Sequence, residues 1–172
     1  MLFYDYFFIS EEQERHPQQE HPEELMLLEN TSFELYNDNK TRKWVLESDN
    51  FSIDRTTGKI QFSPVKIDVY DSTRENNVIY YLWAGSGDYY LDREFLQIEG
   101  DIEIHHGDNI IKTQKITWNQ EDDTLQGRGG FVFETPRFVM TGREFKSDSS
   151  LEELEITGGD KRANFKFKEG TE

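Results

Sequence analysis

The chain has no cysteine. Disulfides and thiolate chemistry are therefore excluded, although no compartment follows, because many proteins of oxidising spaces also lack cysteine. No apolar run reaches the roughly eighteen residues that a membrane-spanning helix needs. Met1 to Ile9 (MLFYDYFFI) is apolar but short, carries Asp5 and lacks a basic flank, so it does not read as a complete signal peptide. It reads as the stub of a longer anchor or as a sticky terminus. Cations are scarce: 19 Lys and Arg stand against 35 Asp and Glu, a net charge of −16. That balance argues against nucleic acid, whose phosphates need a basic footprint. It argues equally against docking on an anionic membrane through the protein's own charge. The plain reading of the acids is solubility and protection of strand edges. Hydrophobic residues make up only 34% of the 172, yet aromatics reach 14%. This suits an elongated all-β domain with a thin interior. Nucleophile-elbow, P-loop and dinucleotide fingerprints are absent. Gly85-Ser86-Gly87 and Gly127-x-Gly129 lack the following helix that phosphate cradling requires. No catalytic residue, cofactor or metal is expected, and the chain does not read as an enzyme.

What is present is organised around Ile79 to His106. It reads as a hairpin: an apolar strand, a turn at Asp92-Arg93-Glu94, and a return strand from Phe95 with clean alternation. There Leu96, Ile98, Gly100, Ile102 and Ile104 share one face, and Gln97, Glu99, Asp101 and Glu103 the other. The rest of the chain copies it. Leu82-x-Ala84 recurs as Leu46-x-Ser48, Ile111-x-Thr113 and Val139-x-Thr141. Five residues beyond each small residue stand Ile53, Tyr89, Trp118 and Lys146, so the last copy loses the apolar one. Return strands follow as Leu96 to Gly100, Leu125 to Gly129 and Leu154 to Gly158, with Ile102/Ile104 and Phe131/Phe133 after two of the glycines. In the first copy Val65/Ile67 follow Pro64 one step out of register, which predicts a bulge near Pro64. A spacing of 28 to 29 residues between the last three copies predicts a stacked hairpin array.

In chain order, residues 1–30 have linker composition: acid-rich, with Gln, His and Pro, and one helical turn is conceivable at Glu23 to Leu28. The β domain is placed at 31–170. It starts with Ser32 to Tyr36 and a turn at Asn37-Asp38-Asn39-Lys40. Turns about every ten residues point to a sandwich, jelly roll or open roll.

Candidate chemistry is sparse. His105-His106 stands beside Glu103 and Asp108, but successive strand residues face opposite sides, so a solvated strand end explains the pair better than metal. No two carboxylates are singled out as a catalytic pair. Trp44, Trp83 and Trp118 could stack on sugars, with core packing as the plainer account. The apolar faces of the copies, among them Leu46, Leu82, Ala84 and Ile111, would line one continuous trough if the hairpins stack. A closed sandwich fills such a trough itself; an open one holds acyl chains. The pattern alone leaves both open.

The stretch from Ser32 to Thr157 resembles the LptC family of periplasmic lipopolysaccharide export components, within the wider group that includes LptA and OstA-type domains. The resemblance rests on Phe33-Glu34-Leu35-Tyr36, Trp44-x-Leu46, and Ile60 to Val65 followed by Asp71. Leu82, the Leu96 to Ile104 strand, Phe138 to Gly142 and Leu151 to Leu154 extend it. It implies an open, twisted β-jelly roll in two antiparallel layers. It also implies that Leu46, Ile53, Ile67, Leu82, Ala84 and Tyr89 line a trough for the acyl part of lipopolysaccharide. Leu96, Ile98, Ile102, Ile104, Ile111, Trp118, Phe131 and Phe133 continue that lining. Edge pairing is implied too. Phe33 and Leu35 mark the edge facing the inner-membrane ABC transporter; Gly142, Leu154 and Ile156 mark the edge facing an LptA-like protein, and edges also allow self-association. Family members begin with a membrane-spanning helix that this chain lacks, which leaves a soluble LptA-like bridge as the alternative, beside a glycan-binding or structural β-sandwich.

Overall fold

A computed structural model describes residues 25–74, 77–158 and 161–166. Their strands are β1 (Leu25–Tyr36), β2 (Arg42–Asp54), β3 (Lys59–Asp71), β4 (Asn77–Ala84), β5 (Ser86–Tyr90) and β6 (Phe95–His106). Then follow β7 (Asn109–Asn119), β8 (Thr124–Glu134), β9 (Val139–Gly142), β10 (Glu144–Ser147), β11 (Glu153–Gly158) and β12 (Lys161–Lys166). Every pairing is antiparallel, in the order β1-β2-β3-β4-β6-β7-β8-β10-β11-β12. β5 continues β4 beyond Gly85, pairing the same two neighbours, and β9 lies on β8 just before β10. There is no helix among the described residues. The all-β expectation holds, and the fold is an open β-jelly roll.

One line of bends crosses the whole sheet and folds it into two layers. Along β2 the inward residues are Trp44, Leu46 and Ser48, then Phe51; along β7 they are Ile111 and Thr113, then Ile116 and Trp118. Two residues instead of one separate the inward positions at the bend, so the strand turns its corner without exposing its apolar set. In β6 and β8 three residues intervene, and register shifts there mark bulges. Gly100 (φ 86°), Asp101 (φ 42°), Gly129 (φ 85°) and Gly130 (φ 84°) absorb the extra residue in the left-handed region. The hairpin repeat is thus a repeat of this corner.

Several expectations need correction. The pairing of β2 with β3 runs unshifted past the cis Ser63–Pro64 peptide, Ser48↔Val65 on one side and Asn50↔Ser63 on the other, so the bulges fall elsewhere. Gly100 belongs to a bulge and is exposed rather than inward. In the last copy Val139 and Thr141 are exposed, and Met140, Gly142 and Phe145 take the inward places; the alignment is one residue off. β1 starts at Leu25, so Leu25 to Leu28 extend a strand rather than a helical turn. The readings of Met1 to Ile9, His16 and His21 fall outside the described residues.

Glycine explains how few hydrophobic residues fill two layers. Phe62↔Gly87, Phe145↔Gly127 and Phe131↔Gly142 are direct cross-strand pairs. A Cβ on any of these glycines would overlap the ring of its partner. Each ring lies on bare backbone, and the interior stays thin and dense.

Candidate functional site: the interior and its edges

The structure brings all the expected trough residues into one interior. Leu46, Ile67, Leu82, Ala84, Tyr89, Leu96 and Ile98 are buried, as are Ile102, Ile104, Ile111, Trp118, Phe131 and Phe133. Ile53 is partly buried against them. The two layers meet through rings: Trp44 on Trp118, Phe33 on Tyr89, and Phe131 on Phe145. The protein's own side chains fill the interior.

A polar seam closes the side where the turns of the two layers meet. Trp118 Nε1–H donates to Asp123 Oδ1 (2.9 Å), and Ser149 Oγ–H donates to Asp123 Oδ2 (2.9 Å). The Tyr80 hydroxyl donates to the Ser149 carbonyl (2.8 Å). Gln120 accepts from the Tyr89 hydroxyl and donates to the Tyr36 carbonyl, tying β5, the β7–β8 turn and β1 together. Burial raises the Tyr80 hydroxyl well above its ordinary value and the Tyr89 hydroxyl to about 12, so both stay neutral donors. Sequence reasoning missed Tyr80, Gln120, Asp123 and Ser149. Gln120 and Asp123 look like ordinary turn residues, and only a buried turn separates them from solvated ones.

The sheet has two ends. Among the described residues β1 pairs only β2, and its outer edge crosses both layers; Phe33 and Leu35 lie on it with side chains turned inward. At the other end the last strand is β12. Leu154 and Ile156 on β11 stand one strand in from that edge, both paired with β12 and Ile156 also with Phe145 of β10, and this corrects their placement. Gly142 lies on β9, which among the described residues pairs β8 alone. Phe165 of β12 packs on Phe133 and Phe138, folding this end over the interior.

The outward carboxylates form solvated cross-strand pairs, such as Lys59–Asp88 (3.0 Å) and Lys115–Glu99 (3.0 Å). No group of three or more metal-ligating residues occurs among the described residues. His105 and His106 face opposite ways: His105 stacks on Tyr81 outside, while half-buried His106 meets Tyr80 edge-on. Burial lowers the His106 pKa. Of the tryptophans, Trp44 and Trp118 are core, but Trp83 is 44% exposed. No helix among the described residues is long and apolar enough to cross a membrane.

A single bent sheet around an apolar interior, whose two end strands each have one open edge among the described residues, defines an open jelly roll. The chain belongs to the LptC family: the family model described as "Lipopolysaccharide-assembly, LptC-related" matches residues 1–160. The family is periplasmic, and the protein has a role in lipopolysaccharide transport. No curated protein matches the chain significantly.

Proposed function

We propose that the interior takes up the acyl chains of lipopolysaccharide and passes them on along the strand order, from the β1 edge toward the β12 edge. What supports this is that every expected lining residue faces one apolar interior running between two edges that are unpaired among the described residues. Acyl chains need no directional partner, so an apolar interior serves them along its whole length. Because side chains fill that interior, the layers part as lipid enters. In this reading β1 pairs with the jelly-roll domain of the inner-membrane ABC transporter, and the C-terminal end pairs with an LptA-like protein. ATP is spent at the transporter, so this chain carries no catalytic group. An N-terminal membrane tether belongs to the same proposal.

Site-specific photocrosslinking tests it. Probes at Ile102 and Phe131, buried on the two halves of the Thr113 pairing, should capture lipopolysaccharide; a probe at exposed Asp101 should not. Capture from Asp101 alone, or from none of the three in folded protein, would mean that the interior is only a core.

A further inference from the structure

The outer face of the layer that contains β4 carries an aromatic cluster that the transport reading leaves unused. Tyr81 and Trp83 project outward from β4 between β3 and β6. Tyr81 stacks on His105 (centroids 4.9 Å, planes 9° apart), and Trp83 stands edge-on to both, 4.9 Å from Tyr81 and 5.3 Å from His105. Trp83 is 44% exposed although two other tryptophans of this chain are fully buried. Its cross-strand neighbours are charged on both sides, Lys66 on β3 and Glu103 on β6. Glu103 is also hydrogen-bonded to His105. Beside Trp83 lies a cavity of about 490 Å³ that includes Asn30, Ser32, Glu47, Asp49 and Lys66 in its wall.

We propose that this patch binds a pyranose sugar, uncharged or amino-substituted, on the outside of the jelly roll. Three strands and two residue rows make a patch of roughly 10 by 7 Å, the size of one or two sugar rings. A specific protein interface needs roughly 800 Å² on each partner. The ring faces offer a flat, weakly hydrated surface for the C–H face of a sugar. Glu47, Asp49 and Glu103 are acceptor-only groups that match hydroxyl donors around its rim. The same acids, in a chain of net charge −16, repel phosphorylated sugars and anionic lipid surfaces. Choosing the glycan of a glycolipid as the ligand's source rests on the transport reading; the site itself does not.

The test uses the whole chain and, as the oligosaccharide, the glucosamine disaccharide left when the lipid anchor of lipopolysaccharide is fully deacylated and dephosphorylated. Trp83 dominates the acrylamide-quenchable emission, since Trp44 and Trp118 are fully buried. Saturable protection of that emission is expected, with weak affinity. Broadening of the oligosaccharide's own proton signals should vanish with Trp83→Ala and Tyr81→Ala. Glu103→Gln should weaken binding about tenfold through the lost charge-assisted bond. Trp83 is exposed, so an unchanged melting temperature will show that its variant is folded. Absent protection, broadening that persists in both alanine variants, or protection of Trp83 by a partner protein and never by sugar would each overturn the proposal. Interior crosslinks to intact lipopolysaccharide without oligosaccharide binding would sink this site and leave the transport reading standing.

Discussion

Trp44 of β2 and Trp118 of β7 stack across the interior, ring centroids 4.3 Å apart and planes 5° from parallel. Their polar ends differ. Trp118 donates to Asp123, while Trp44 Nε1 is buried with no hydrogen-bond partner among the described residues. Replacing either by Phe removes similar ring volume, but only Trp118→Phe also takes a donor from a partly buried carboxylate. We expect Trp118→Phe to be the more destabilising by about 1 kcal/mol, measured as the difference in urea unfolding. Equal losses would show that the seam adds no stability.

A second prediction concerns Gly142, where a Cβ would overlap the Phe131 ring and stand 3.3 Å from Ile156. Gly142→Ala should cost about 1–3 kcal/mol through overpacking. A larger side chain should unseat the C-terminal end that the proposed hand-off would use. Gly158→Ala is the control, because nothing lies within 4 Å of its added Cβ. If both alanines behave alike in urea, the ring-on-glycine account fails.

Acid should weaken the fold before the carboxylates titrate. Burial depresses the His106 pKa below 6.5, against an opposing pull from Glu152. The unfolded chain then binds more protons than the folded one, so stability rises with pH through this window and falls as pH drops below about 6.5. Asp54 and Asp71 have lowered pKa values, chiefly through side-chain hydrogen bonds from Thr57 and Thr73; their contribution is lost only below 3.8. Melting temperatures of wild type and His106→Phe, compared from pH 7 down to 5, should converge if His106 is the sensor. Parallel curves would remove it from the account.

The seam also makes a prediction about access. Asn37 Nδ2 and Asp123 Oδ2 lie 3.5 Å apart across the two layers, and the chain has no cysteine to interfere. Joining Asn37→Cys and Asp123→Cys with a short bis-electrophile that alkylates both thiols should abolish lipid capture at Ile102 and Phe131, and leaving the two thiols free should preserve it. Undiminished capture by the joined protein would mean that lipid enters along the strand order without parting the turns.

Much of the fold is legible in the chain because alternation in strands is a local property. Leu96 to Ile104 announces its apolar residues, but alternation alone puts Gly100 among them, and only the register shift against β7 reveals the bend there. The last copy misled by one residue because Val139 and Met140 are both apolar, and only pairing with β8 decides between them. The edge role of Leu154 and Ile156 comes from the family resemblance, which does not show that Lys161 to Lys166 pair outside them; that pairing with β11 puts β12 at this end instead.

By itself the sequence determined an all-β chain, the residues of its apolar faces and its family, since each is carried by the order of side chains along a strand. Tertiary structure decided what those faces meet. Two inward tryptophans of different strands found each other while Trp83 was left outside, and turn residues such as Gln120 and Asp123 became a buried seam. These outcomes depend on contacts between residues far apart in the chain, fixed only once the bent sheet closes on itself.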